Sequence, residues 1–269
     1  MNSRLFDRYI RARHDFSQHV FQTFQIRDLT VVDILDGFYL VTAVDSDGAV
    51  GPKEHDVVHV GGYECGRFGT RVPLMEILAC GAIPIAAFDQ LSVEMFPTGQ
   101  EIIRGVRDEL TSVGLPNDFP LSGSTEDNLP TVQTGMGVVI VGIVAKSDFR
   151  PGSSKSGDNI YCIGIPKSGP DDIIRLDDSE IADAKTVTSV CRSIPVHDVL
   201  PVGSKGISYE ADQLGTTAHR TVTMKDDCPL SLEKSGGPTT CFLISIAGAQ
   251  TEILKDLAKK PVFHVGTVD

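Results

Sequence analysis

The chain has no tryptophan, and aromatic residues make up only 6% of its 269 residues. Positive charge is also scarce, because 24 lysines and arginines stand against 36 aspartates and glutamates, a formal net charge of −12. A protein that binds nucleic-acid phosphates needs a surplus of basic side chains, so this balance argues against nucleic acid as a partner. An anionic ligand would need a metal cation to accompany it.

The six cysteines include no C-x-x-C pair, and several of them stand inside apolar runs. This pattern favours buried free thiols in a reducing compartment over disulfides or a zinc site. No stretch approaches the length that crosses a membrane, and the N-terminus lacks the apolar segment that secretion requires. We therefore expect a cytoplasmic protein without a membrane partner.

Apolar and polar periodicity predicts alternating strands and helices in both halves of the chain. Strands are expected at 37–44 and 138–144, and Thr98-Gly-Gln-Glu101 has the pattern of a capping box that opens a helix. The apolar residues after Thr70 predict a helix that ends at Gly81. Later elements are expected as helices at 179–191, 209–214 and 250–259, and as strands at 160–165, 240–246 and 262–265.

A run of small and polar residues at 147–158 separates the two halves. Such composition is typical of a boundary between domains. We therefore predict two α/β or α+β domains, at 1–148 and 149–269.

Carboxylates follow apolar elements at three places in the first half. Asp45 and Asp47 come after the strand at 37–44, Glu76 lies on the flank of an apolar helix, and a loop at 122–127 holds hydroxyls and carboxylates. Oxygen ligands of this kind suit Mg²⁺, so the three segments together predict a nucleotide-phosphate site. Ordinary turns would explain the two loops equally well, and a salt bridge to Arg67 or Arg71 would explain Glu76.

Two lysines stand near glycines that could bring them close to phosphate. Lys53 follows Gly51, and Lys205 lies in a glycine loop before a predicted helix. That loop lacks the complete P-loop pattern, and a solvent-exposed lysine is the simpler reading of Lys53. Asp89 ends the strand predicted at 83–88, where it is either a turn residue or a site carboxylate.

The order of these segments resembles the ATP-dependent aminoimidazole ribonucleotide synthetase-like superfamily. The resemblance rests on the runs Asp47-Gly48-x-Val50-Gly51-x-Lys53, Met75-Glu76-Ile-Leu-x-x-Gly81-Ala82-x-Pro84, Gly123-x-Thr125 and Gly157-Asp158. It is firm over residues 33–165 and looser beyond. Such a resemblance implies two α/β domains, the first pairing with its twin in a shared β-barrel, with ATP and Mg²⁺ near the interface of a homodimer.

The resemblance also implies roles for individual residues. Asp47 and Glu76 correspond to acidic positions of the family, with Asp45 as a further metal ligand, while Lys53 and Lys205 would meet phosphate. Residues predicted to contact the nucleotide in the third segment are Gly123, Ser124 and Thr125. Ser124 stands where relatives carry an acidic residue, and the nearest carboxylates are displaced downstream.

Length and the runs Gly123-Ser-Thr-Glu126 and Pro201-Val-Gly-Ser-Lys-Gly206 are most similar to the α-ribazole kinases of that superfamily. The resemblance thus implies a kinase that phosphorylates a hydroxyl of a small nucleoside-like or vitamin-precursor acceptor. Asp89 or Glu126 would orient that hydroxyl as the base. Two alternatives stay open: a ring-forming ATP-dependent ligase, and a nucleotide-binding scaffold protein without catalysis.

Overall fold

Two β-sheets organise the chain, the first built from residues before 146 and the second from residues after 157. The computed structural model describes residues 3–35 and 37–269, so residues 1, 2 and 36 of the predicted first domain lie outside it. The predicted boundary at 148/149 falls between the two sheets and stays a prediction.

The first sheet has six strands in the order β1-β2-β3-β8-β6-β7. All neighbouring pairs are antiparallel except β6 and β7, which are parallel. The strands are β1 (Gln22–Ile26), β2 (Leu29–Leu35), β3 (Phe38–Gly48), β6 (Ile83–Leu91), β7 (Leu121–Thr125) and β8 (Gly135–Ala145), and a separate short pair consists of β4 (Val50–Gly51) and β5 (Val58–His59).

The second sheet has five strands in the order β10-β12-β9-β13-β11, all antiparallel. Its strands are β9 (Asp158–Gly164), β10 (Asp198–Pro201), β11 (Val222–Met224), β12 (Cys241–Ala247) and β13 (Val262–Val268). The α-helices are α1 (Ser3–His14), α2 (Gly62–Ala79), α3 (Gln100–Ser112), α4 (Ala184–Ser193), α5 (Gly206–Thr217) and α6 (Thr251–Ala258).

The two sheets share a hydrophobic core because α2 lies between them. This helix packs on one face of the first sheet and also contacts α4 and β10 of the second half. The central strand β8 alternates strictly between buried and half-buried residues, with Val138 and Ile140 fully buried on the helix side. The strand predicted at 138–144 is therefore confirmed, and it lies in the middle of the sheet with α2 covering one of its faces.

The structure corrects three local predictions. Helix α2 begins at Gly62, eight residues before the predicted start at Thr70, and α4 begins at Ala184 rather than near 179. Helix α3 is confirmed, but the capping box is wrong, because the Thr98 hydroxyl donates to Glu94 instead of capping the helix. Within the described residues, no helix combines the length and apolarity needed to cross a membrane.

Candidate functional site

Asp45 and Asp47 are part of strand β3 rather than of a loop after it, which corrects the sequence-based placement. They point to the same face as the buried residues Val41 and Ala43, because side chains alternate along a strand. Burial raises the pKa of Asp47 to about 6, and the charge of Asp45 adds to that effect. A Cβ atom on Gly69 of α2 would lie only 2.9 Å from Asp47 Oδ2, so glycine leaves room for this carboxylate.

Glu76 is buried on α2, and its surroundings are acidic. Burial is the main cause that raises its pKa well above the ordinary value, and the charges of Asp28, Glu210 and Asp45 raise it further. Arg27 opposes them only in part. The salt bridges predicted as the alternative are absent among the described residues, since Arg67 and Arg71 both pair with Glu109.

The structure thus gathers four carboxylates from separate segments: Asp28 from the β1–β2 turn, Asp45 from β3, Glu76 from α2 and Glu210 from α5. We call these four residues the acidic cluster. Sequence reasoning missed Asp28 and Glu210, because neither stands in an acidic run. The one available sequence signal was the helical spacing that places Glu210 on the same face as Ile207 and Leu214.

Glu210 connects the acidic cluster to the predicted glycine loop. Burial raises the pKa of Glu210 to about 7, the charge of Asp28 adds to the rise, and the Gly203 N–H donates a 3.4 Å hydrogen bond to it. Lys205 precedes the first residue of α5, and its Nζ lies 4.1 Å from the centre of the Tyr209 ring. The structure therefore brings Lys205 into the electrostatic surroundings of Glu210 and Asp28, although its main partner is Tyr209.

Arg27 fixes the β1–β2 turn to the second half of the chain. Its guanidinium donates two hydrogen bonds to Asp198, at 3.0 and 2.6 Å, and a third to the Thr217 hydroxyl at 2.7 Å. Both side chains of the ion pair are almost fully buried, and the Gly152 N–H also donates to Asp198. This buried pair holds Asp28, the next residue, beside α5.

Lys53 is already paired. Its Nζ donates to Glu94, which also accepts a 2.5 Å hydrogen bond from the Thr98 hydroxyl. Burial alone would raise the pKa of Glu94, but these two hydrogen bonds bring it down to about 2. The Lys53 backbone N–H donates to Asp56, whose carboxylate also accepts from Thr134. A phosphate would have to compete with Glu94 for the Lys53 ammonium.

The third predicted segment forms the edge strand β7 and the loop after it. Gly123 pairs with Asp89 of β6 and Thr125 pairs with Leu91, while Ser124 is exposed on the opposite face. Asp89 of β6 lies opposite Val138 of β8, and Val138 lies opposite Asp45 of β3. The two carboxylates are therefore two strands apart on one face of the sheet. At about 4.8 Å per strand, their Cα atoms are separated by roughly 10 Å.

The two predicted bases differ in their surroundings. Glu126 accepts hydrogen bonds from the backbone N–H groups of Asn128 and Leu129, so it stabilises its own loop. Asp89 is only 3% exposed and accepts no hydrogen bond from any residue that the structure describes. Burial raises its pKa to about 6, and the positive charge of Arg107 opposes this rise.

Eight of the ten predicted site residues lie at two places, whereas Lys53 pairs with Glu94 and Glu126 stabilises its own loop. Asp45, Asp47, Glu76 and Lys205 lie in or beside the acidic cluster, whereas Asp89, Gly123, Ser124 and Thr125 line one cavity at β7. Over residues 3–35 and 37–269, no three His, Cys, Asp or Glu side chains are grouped closely enough to hold one metal ion. The predicted metal ligands thus stay a prediction.

No family model and no curated protein matches the chain. Solved structures share its fold: thiamine-monophosphate kinase from Stenotrophomonas maltophilia K279a has a TM-score of 0.58 at 16% identity, covering 98% of this chain and 93% of the kinase. A chain of the HypE-HypF complex gives 0.63 at 12% identity, covering 89% and 86%. T. maritima PurL complexed with ADP gives 0.63 at 17% identity, covering 92% of this chain and 42% of PurL. The chain thus spans about two fifths of PurL, and the predicted α/β fold is confirmed, while the shared β-barrel stays a prediction.

Proposed function

We propose that the chain is an ATP- and Mg²⁺-dependent phosphotransferase. The observation that carries the proposal is the acidic cluster, in which three of the four carboxylates have pKa values raised by burial and by one another's charge. Mutual repulsion of this kind is costly in a folded protein unless protons or a cation neutralise the group. The chain shares its fold with a kinase and with PurL, which is complexed with ADP. We therefore propose that the cation is Mg²⁺ bound together with a nucleotide.

The donor set fits Mg²⁺, which prefers carboxylate oxygens and keeps several waters of its own. Asp45, Asp47 and Glu76 are the proposed ligands. Because no three carboxylates of the described residues are grouped around one point, each ion would be held by one or two of them together with phosphate oxygens and water, with the charges of Asp28 and Glu210 contributing. When bound, Mg²⁺ would neutralise charge on the phosphates of the nucleotide. Its positive charge would also return the raised pKa values of these carboxylates towards the ordinary range.

The start of α5 would supply the contacts to phosphate. Two of its first N–H groups are already engaged, because Gly206 N–H donates to the Gly203 carbonyl and Ser208 N–H to the Leu232 carbonyl, so phosphate would rely mainly on the partial positive charge that the helix dipole places at that end. Lys205 adds a full positive charge beside it, and the left-handed backbone at Gly206, with φ of 83°, turns the chain into the helix. Lys53 would contribute a second ammonium if phosphate displaced Glu94. Phosphoryl transfer depends chiefly on such positioning and charge.

The acceptor we propose is the hydroxyl of a small nucleoside-like molecule, with α-ribazole as the specific candidate. Of the predicted bases, Glu126 is engaged by its own loop and Asp89 has no hydrogen-bond partner among the described residues. A loose transition state requires little proton abstraction before the phosphoryl group moves, so orientation of the hydroxyl matters more than a strong base.

We also propose a homodimer formed through the exposed face of the first sheet. Val44 and Phe88 lie in one row of that face, on either side of Val139, and are 59% and 40% exposed. Ile83 and Ile85 extend the apolar surface, at 67% and 42% exposure. A second copy of the chain would cover this patch. Phe88→Lys should shift the mass measured by ultracentrifugation from dimer to monomer, whereas Ile173→Lys, an exposed residue of the second half, should not.

The test of the activity is ATP consumption by the purified chain with Mg²⁺, screened against α-ribazole and other small nucleosides, with the product identified by mass spectrometry. Asp47→Asn and Glu76→Gln keep side-chain shape while removing charge, and each should lower turnover at least 100-fold if Mg²⁺ binds there. Asp171→Asn is the matched control, because this carboxyl is exposed and lies outside both sites. ATP binding without turnover of any acceptor would contradict the kinase and favour the scaffold protein.

A further inference from the structure

A cavity of 210 Å³ opens between helix α3 and the edge strand β7, and no residue of the acidic cluster lines it. Its walls come from three places. Met95 and Ile103 supply apolar surface, strand β7 supplies the run Leu121–Thr125, and the two charged groups are Asp89 and Arg107. A space of this size is below the roughly 300–1,000 Å³ of pockets that enclose a drug-sized ligand, so it suits a single flat ring system.

The position of Asp89 suits a carboxylate that binds a ligand in the cavity. It is 3% exposed, and no described residue donates a hydrogen bond to it. Its oxygens are not among the fully buried unpaired atoms of the described residues, so they are reached from the cavity, where water or a ligand can donate to them. The backbone keeps this side chain in place: a Cβ atom on Gly123 would collide with Asp89 Oδ1, so glycine is required opposite it.

Arg107 is an exposed residue of α3 that lines the same cavity, and it has no hydrogen bond or ion pair in the part of the chain that the structure describes. Its charge acts on Asp89, yet the two groups are too far apart to form a salt bridge. An acceptor-only group and a donor-only group therefore border one cavity without satisfying each other. A ligand that presents a donor beside an acceptor would satisfy both.

We infer that this cavity binds an amino-substituted purine-type ring, with the exocyclic amino group donating to Asp89 and the adjacent ring nitrogen accepting from Arg107. The apolar side chains of Met95, Ile103 and Leu121 would contact the ring faces and edge. The cavity has room for the base alone, so the sugar projects outwards. This base can belong to ATP itself or to a nucleoside acceptor, and Asp89 then has a binding role in place of that of a proton acceptor.

The inference stands on the cavity and does not require the proposed phosphotransfer. Calorimetric titration of the full chain with adenosine, with purine riboside, which lacks the amino group, and with ATP tests it without any turnover. We expect adenosine to bind at least 10-fold more tightly than purine riboside, because a site that accepts a hydrogen bond discriminates against the analogue without the donor. Equal binding of the two nucleosides, or binding of neither, would overturn the inference.

Single substitutions test whether adenosine binding depends on the side chains that line the cavity. Asp89→Leu removes both acceptor oxygens and should abolish the preference for adenosine, and Arg107→Met should weaken adenosine at least 10-fold. Arg104→Met is the matched control, because Arg104 lies on the same helix but pairs with Glu101 and stacks over Tyr63. Weakening by Arg104→Met equal to that by Arg107→Met would contradict the assignment. Circular dichroism and thermal unfolding verify that each variant folds.

The source of the base follows from the ATP titration. If Asp89→Leu weakens ATP and adenosine alike, the cavity holds the base of the nucleotide; if it weakens adenosine alone, the cavity holds the acceptor. Asp47→Asn distinguishes the phosphotransfer site from the cavity, since it should abolish phosphotransfer and leave adenosine binding to the cavity intact. Adenosine binding that disappears in Asp47→Asn would overturn the separate cavity.

Discussion

Asp47 gives the most direct test of the acidic site, because its charge should destabilise the metal-free protein. The pKa of this carboxyl is about 6 in the folded chain against an ordinary value of 3.8. Each pKa unit corresponds to about 1.4 kcal/mol, so the ionised group costs the folded state about 3 kcal/mol. Asp47→Asn preserves the shape of the side chain and removes this cost.

The sign of the effect depends on pH. Below pH 3.8 both folded and unfolded chains hold the proton on Asp47, and the cost is absent. As pH rises towards 6 the unfolded chain releases its proton first, so the wild type loses stability; above pH 6 the full cost is present. We therefore expect Asp47→Asn to exceed the wild type by about 3 kcal/mol in free energy of unfolding at pH 7 to 8, and to equal it near pH 3.5.

Urea denaturation in the presence of a chelator, repeated at intervals between pH 3.5 and 8, measures this difference. Asp171→Asn is the control, since an exposed carboxyl should change stability by no more than about 0.5 kcal/mol. Excess Mg²⁺ should stabilise the wild type and leave Asp47→Asn unaffected, because ligand binding to the folded state alone adds to its stability. Parallel pH curves for wild type and Asp47→Asn would refute the electrostatic reasoning.

Three further predictions concern other parts of the chain. Arg27→Ala leaves Asp198 buried without its cation and should lower the free energy of unfolding in urea by about 3–5 kcal/mol. Arg27→Met combined with Asp198→Leu should recover most of that stability. A loss below about 1 kcal/mol for Arg27→Ala would contradict the buried pair. Gly123→Ala should cost about 1–3 kcal/mol, because its Cβ meets Asp89, while Gly48→Ala, which has open space, should cost far less; equal costs would be inconsistent with that crowding. Adenosine affinity should rise between pH 5 and 7 as Asp89 ionises, since its pKa is about 6, and a calorimetric titration that is flat across this range would exclude Asp89 as the acceptor.

Local sequence patterns were sufficient for most secondary structure but not for α2. This helix contains Pro73 and three glycines, Gly62, Gly66 and Gly69, which have low intrinsic helix propensity and hid its first two turns. Close packing explains them, because a Cβ atom on Gly66 would collide with the Ile102 carbonyl oxygen of α3. The predicted capping box is wrong for a similar reason. The Thr98 hydroxyl donates a hydrogen bond to Glu94, and no local sequence pattern reveals that contact.

The candidate site shows the same division between local and distant information. Asp45, Asp47 and Glu76 were predicted from the sequence because each carboxylate interrupts or ends an apolar element, which is a local signal. Asp28 and Glu210 were missed, since what matters about them is their position beside Glu76. The sequence also contains no sign that Lys53 pairs with Glu94, or that no described residue donates a hydrogen bond to Asp89.

The sequence by itself determined the periodic strands and helices, the acidic balance and three of the carboxylates, because these depend on neighbouring residues and on composition. Only the tertiary structure decided which charges meet. It did so through the two-residue turn that carries Arg27 and Asp28 to the second half, and through α2, which is packed between the two sheets. Electrostatic energy depends on distance and burial rather than on sequence separation, so the acidic cluster and the cavity beside β7 exist only in the folded chain.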